Sequence, residues 1–234
     1  MSTVTAQSIL DRAWIVVQDT AGSSGVRWPE AEMLSWVNDA QREVVLLHPQ
    51  ASVSTSSPVV PTGTRQSLAG LSLTSGIRVI DVIRNMSNAG APGRAIRLIT
   101  REVLDAQRPS WHAETGSEII HWMYDPRDPK SFYVYPALSA AAISAAAKIE
   151  LSYSSSPPAL AAVEDTITVD DVYANAILNY VLFRAYSKDA EYAQNVALSQ
   201  AYYQLFMGAL TAKTQIDVAS QPSVQAGTYN PAVK

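Results

Sequence analysis

The sequence predicts an α+β fold: a helical bundle formed by N- and C-terminal helices, an inserted small β-rich domain and an extended C-terminal tail. Three observations carry this reading. Apolar residues recur at helical spacing in the first 50 residues and again from about 170 to 212. Between these stretches Ser, Pro and Gly punctuate short apolar or alternating runs, the pattern of strands and turns. After Lys213 the apolar periodicity fades. The expected boundaries are 1–50 with 159–213 for the bundle, 51–158 for the insert and 214–234 for an extended C-terminal arm.

The first helix is expected over 5–18, capped by Thr5, with Ile9, Ala13, Val16 and Val17 on one side. A loop at Gly22-Ser23-Ser24-Gly25 separates it from a second helix that opens at Trp28-Pro29-Glu30. Pro29 suits the first turn, where its missing N–H would be unpaired anyway, and Glu30 and Glu32 favour the positive end of the helix dipole. Met33, Val37, Ala40, Val44 and Leu47 form an apolar stripe, and Pro49 stops the helix. In the insert, Ile77 to Arg84 alternates as a half-buried strand. Glu118–Tyr124, Ser131–Tyr135 and Lys148–Tyr153 read as further strands, and Arg101–Gln107 as a short helix after Thr100. Asp125-Pro126-Arg127-Asp128-Pro129-Lys130 is a turn between two of the strands. A third helix starts at Asp170 or Asp171. A fourth runs from about Lys188 to Ala212 and carries no charge from Tyr192 onward. Gln194, Asn195, Ser199, Gln200 and Gln204 would be costly in lipid, so no membrane span is expected. A long uncharged helix is expected to bury one face in its own bundle and another in a neighbouring subunit.

Composition narrows the function. The chain is 47% hydrophobic and 16% charged, against about 25% charged for ordinary soluble domains. Interface cores are depleted of charge in the same way. The net charge of −4 and the lack of a basic run disfavour a nucleic-acid reader, which needs Lys and Arg against phosphates. There are no cysteines, which excludes disulfides, thiolate metal sites and Cys nucleophiles. Met1 to Ile9 lacks a basic segment followed by an apolar one, so no signal peptide is expected and the chain should be made and kept in the cytoplasm until assembly. No Gly-x-Ser-x-Gly elbow, phosphate-binding Gly loop or dinucleotide fingerprint occurs. The histidines are His48, His112 and His121. Only His121 with Asp125 and Asp128 suggests a metal set, and Pro126 breaks the strand that would align them. Asp170-Asp171 reads as helix capping rather than a catalytic dyad. No cofactor, metal or catalytic residue is expected. The aromatics read as packing: Trp14, Trp28 and Trp36 in the first helices, Trp111, Trp122 and Phe132 in the insert, and Tyr202, Tyr203 and Phe206 in the last helix.

Several segments, taken in order, resemble the head-to-tail adaptor proteins of tailed phages, related to tail tubular protein A of short-tailed phages. They are Val26-Arg27-Trp28, Trp36 to Glu43, Gly63 to Gln66, Asp125 to Lys130, Phe132 to Pro136 and Tyr180 to Glu191. The resemblance implies a structural virion protein in a homo-oligomeric ring, commonly a dodecamer. It also implies the portal protein on one side, a tail nozzle or tail tube protein on the other, and double-stranded DNA passing without specific binding. The alternatives are another neck or tail component, such as a tail-completion or tube-terminator protein, and a hydrolase or nucleotide-binding protein with an unfamiliar site. On this reading Ile216, Val218, Val224, Tyr229 and Val233 are spaced anchors of an arm that orders along the portal. Thr64 and Arg65 in one loop, and Gly90 and Arg94 in another, are expected to face the tail or the channel.

Overall fold

The structure, a computed structural model, describes residues 2–19, 27–189, 191 and 193–220. It is a mixed α+β protein whose helices lie towards both ends of the chain and whose strands lie between. The helices of the bundle are α1 (Ala6–Val16), α2 (Glu30–Leu47), α5 (Ala174–Lys188) and α6 (Ala193–Ser220). Two short helices, α3 (Arg101–Gln107) and α4 (Ala140–Ser144), lie among the strands. The loop expected at 22–25 is outside the described residues.

Local chemistry sets the helix ends. The Thr5 hydroxyl accepts from the Ser8 N–H, the N-cap expected of it. Pro29 is the N-cap of α2, with Glu30 and Glu32 in the first turn. Asp170 caps a 3-10 turn over Asp171–Tyr173, and α5 follows at Ala174. Lys188 ends α5 instead of opening the next helix: its ammonium reaches the Arg27 carbonyl and the Glu32 carboxylate, and a cation suits the negative end of a helix. The expected stripes also turn slightly. In α1 the buried set is Ala6, Ile9, Leu10, Ala13 and Trp14, while Val16 is exposed. In α2 Leu47 is exposed as well.

Helix α5 is the centre of the bundle and touches α1, α2 and α6. Ile177, Val181 and Ala185 are fully buried against the stripes of its neighbours, with Trp14, Trp28 and Trp36 in the same core. Burying one Ile- or Val-sized side chain stabilises by about 1.5–3 kcal/mol. The segment before α5 completes this core. Asn38 holds both backbone groups of Leu160, and Gln41 accepts from the Thr168 N–H and hydroxyl. Residues 4–7 run alongside 163–167 through three backbone bonds and a Thr5–Thr166 bridge.

The strands are β1 (Val53–Ser56), β2 (Arg65–Ser67), β3 (Gly76–Met86), β4 (Pro92–Ala95), β5 (Arg97–Leu98), β6 (Thr115–Gly116), β7 (His121–Tyr124), β8 (Ser131–Tyr135), β9 (Ala137–Leu138) and β10 (Lys148–Ser155). One antiparallel sheet has the order β1-β10-β3-β4, and a second has β2-β8-β7-β5 with β5 parallel to β7. Alternate residues Ile149, Leu151 and Tyr153 from the first sheet meet Trp122, Phe132 and Val134 from the second in a separate core. The strand expected from Glu118 starts only at His121. The Asn85 side chain accepts from the Ile119 N–H and donates to its carbonyl, so the backbone there is bound by a side chain and not by a strand partner.

Helix α6 runs seven residues beyond Lys213. Lys213 and Asp217 pair one turn apart at 2.6 Å, and the Thr214 hydroxyl donates to the Leu210 carbonyl. The arm expected from 214 is therefore helical through Ser220.

Candidate interaction surfaces

A concavity lies where the bundle meets the strands. Helix α2 ends in His48, and the chain turns through a 3-10 segment, Pro49–Ser52, into β1. Leu47, His48, Pro49 and Gln50 form one wall; Arg78, Val79 and Ile80 of β3 with Leu98, Trp122 and Tyr124 form another; Thr214 and Asp217 of α6 form the third. The cavity measures about 570 Å³. His48 ties the walls together: its Nδ1 shares a 3.2 Å hydrogen bond with the Thr214 hydroxyl, and its Nε2 stands 3.4 Å from Asp217. The Lys213 ammonium lies 5.9 Å from the centre of the Tyr173 ring. Asp217 beside it holds the Lys213 pKa above its ordinary value.

The two expected loops differ. Thr64 is buried; its hydroxyl is 2.9 Å from His112 Nδ1, and its carbonyl accepts from Val134. Arg65 is exposed and pairs with Asp128 at 3.0 Å. Gly90 lies at the open turn between β3 and β4, at φ +84°, a conformation that favours glycine. Arg94 is exposed on edge strand β4. It lines a notch of about 250 Å³ with Arg97 and His121. The structure thus leaves Arg65, Gly90 and Arg94 open to solvent and takes Thr64 into the fold.

Of the arm residues, Ile216 is on α6 and 62% exposed. Val218 is on the same helix. Val224, Tyr229 and Val233 lie outside the described residues. The surface of α6 is the feature that sequence signals mark most clearly. No charged residue occurs between Ala193 and Ala212. Yet the buried side chains described on this helix are Ser199, Phe206 and Leu210 alone. Val196, Leu198 and Leu205 are exposed, and nothing approaches within 4 Å of where a Cβ on Gly208 would stand. The inner side packs on α5 through Tyr180, Phe183, Tyr203 and Phe206.

Several of the groups that could do chemistry are engaged in structure. His112 stacks on Trp111 with ring centres 3.6 Å apart. Asp125 accepts from the Arg127 N–H, and Asp128 accepts from Lys130 and pairs with Arg65, the bonds of a turn. Among the described residues no group of three His, Cys, Asp or Glu could hold a metal ion. Glu114 accepts from the Tyr135 hydroxyl at 2.6 Å and from Arg108 at 2.9 Å, and these bonds lower its pKa, the Tyr135 bond most. Among the described residues no helix is long and apolar enough to cross a membrane.

The geometry is thus that of a protein that offers surfaces: an open groove, exposed loops and a long helix whose uncharged stretch is largely exposed. No curated protein gives a significant match to the chain. A family description does: the SU10 adaptor protein matches residues 4–227, nearly the whole length, covering the bundle helices, every strand and the groove between them. The chain belongs to the SU10 adaptor protein family, a family of structural bacteriophage proteins.

Proposed function

We propose that the protein is a subunit of the head-to-tail adaptor ring, which joins the portal to the tail and lines part of the DNA channel. One observation carries this reading beyond the family: the uncharged stretch 193–212 of α6 exposes most of its side chains in the single subunit. A surface of that kind is covered in the assembled state, because interface cores are depleted of charge. Neighbouring subunits around the ring are its partners, and the ring, commonly a dodecamer in the resembling family, closes on the portal. The insert, 51–158, projects towards the tail or the channel, where Arg65 and the turn at Gly90 meet the tail-side protein. The arm beyond α6 orders along the portal with Val224, Tyr229 and Val233 as anchors. With 17 Lys and Arg against 21 Asp and Glu, the ring does not neutralise phosphates, so DNA slides past it.

The test mixes the protein with purified portal rings and follows mass by light scattering. The expected result is a monomer alone and a closed ring on the portal. A chain ended after Ser220 should lose portal binding while keeping its helical circular dichroism. Failure of the full chain to join the portal would overturn the adaptor reading. Undiminished binding by the shortened chain would overturn the role of the arm.

A further inference from the structure

Where the two larger sheets meet, a short stretch of chain brings basic side chains onto one notch. The chain leaves β4 at Ala95, crosses at the buried Ile96 and enters β5 at Arg97. Both strands are edges of their sheets. The register of β5 on β7 sets Arg97 opposite His121, so the two residues share a face about 5 Å apart. Arg94, Ala95 and Ile120 complete the notch, which measures about 250 Å³. Its backbone is fixed from both sides. The Ile96 N–H donates to the Ile83 carbonyl at 3.0 Å, and the Arg97 N–H donates to the Ile120 carbonyl at 3.1 Å. The Asn85 amide donates to the carbonyls of Arg94 and Ile119, which ties one wall to the other. The His121 ring lies 10° from parallel to the Tyr135 ring.

We propose that this notch binds the carboxylate of an acidic side chain presented by a protein partner. The charges carry the argument. Elsewhere on and around the strands, arginines have acids of their own: Arg65 has Asp128, Arg84 has Glu150, Arg101 has Asp105 and Arg108 has Glu114. Among the described residues Arg94 and Arg97 have no such pair, although both are exposed on the same notch. Glu118 and Asp125, the acids nearest to His121 in sequence, do not line it. The His121 Nδ1 is buried without a hydrogen-bond partner, so internal bonding does not use up the imidazole. A carboxylate is the group this set lacks. A planar guanidinium meets it through two parallel N–H bonds. Ala95 and Ile120 give apolar walls to the methylenes of the entering side chain. A nucleic-acid backbone fits less well. A duplex carries a charge about every 1.7 Å and is held by many cations along its length. Here two guanidiniums stand together on a chain of net charge −4.

The first test titrates the full chain with glutarate, a small dicarboxylate, against chloride at constant ionic strength. Nuclear magnetic resonance follows the Nε–H signals of Arg94 and Arg97 and the ring signals of His121. These should shift together and saturate with a Kd of about 10 mM, while Arg78, a lone exposed arginine outside the notch, should not follow them. The double variant Arg94→Gln, Arg97→Gln should weaken the His121 response by about tenfold. No saturation by about 100 mM, or an equal His121 response in the double variant, would overturn the proposal. The second test compares a peptide of alternating Glu and Thr, its Gln counterpart and a random-sequence DNA duplex. The Glu peptide should move the notch signals and bind at least about tenfold more tightly than the Gln peptide. Notch signals that move with the duplex and not with the Glu peptide would overturn the assignment to a protein carboxylate. Neither test involves the portal or the tail, so failure here is separate from failure of the adaptor reading.

Discussion

Asp171 ties the start of the chain to the start of α5 through one carboxylate. It accepts from the hydroxyls of Ser2 and Thr3, from the Thr3 N–H at 3.0 Å and from the Val4 N–H at 3.2 Å. These bonds, the Ser2 hydroxyl first and then Thr3, hold its carboxyl well below the ordinary range. A depressed folded-state pKa stabilises fully above the unfolded value of about 4, and the effect is lost as pH falls below it. Asp171→Asn should therefore unfold at lower urea than the parent at pH 7, with the gap narrowing as pH is lowered below about 4. Urea midpoints measured across that range check it; a gap that stays constant would show that the ionised carboxylate is not responsible. The neighbouring Asp170 was legible in the sequence because its partner, the Val172 N–H, is two residues away. The role of Asp171 was not, because its partners lie 167 to 169 residues away. The burial of Thr64 was not legible for a similar reason: its hydroxyl faces His112, which only the fold brings near.

Among the elements, those with several periods were legible and those with less than one were not. Strand β10 alternates from Lys148 to Tyr153 and was visible; β5, β6 and β9 are two residues each and carry no period. The far end of α6 was hidden because Thr214 to Ser220 are mostly small or polar, and their helix rests on Lys213–Asp217 and on His48. The turn between β3 and β4 is held locally: the Ser87 N–H donates to the Ala91 carbonyl, the Ser87 carbonyl accepts from the Gly90 N–H, and the Ser87 hydroxyl accepts from the Ala91 N–H. It is exposed from Ser87 through Ala95, and the bundle core draws nothing from it. Deleting Ala89 to Gly93 should leave the helical circular dichroism unchanged and impair tail attachment to assembled heads. Heads with the deletion that acquire tails at the normal rate would show that this turn is not a tail contact.

At the scale of the whole molecule, His48 links α2, the entry to the strands and α6 at one point. A chain ended after Lys213 loses Thr214 and Asp217 and leaves the nearly buried His48 without them. Its unfolding free energy should fall by about 1–3 kcal/mol, whereas ending after Ser220 should cost little. Chemical denaturation of both shortened chains distinguishes the cases; equal stability would show that the His48 contacts contribute nothing. The overall α+β plan was legible because each part has its own composition and period. The groove was not, since its walls come from five separate stretches of the chain.

The strand pairing has an evolutionary consequence. The chain enters the sheets through β1 and leaves through β10, and these two are antiparallel neighbours, with Val53 opposite Ser154. Entry and exit are therefore about 5 Å apart. Everything between them can be exchanged as one cassette, with one junction in each of two neighbouring strands. A lineage could thus acquire a new set of strands and loops while keeping the bundle it already has.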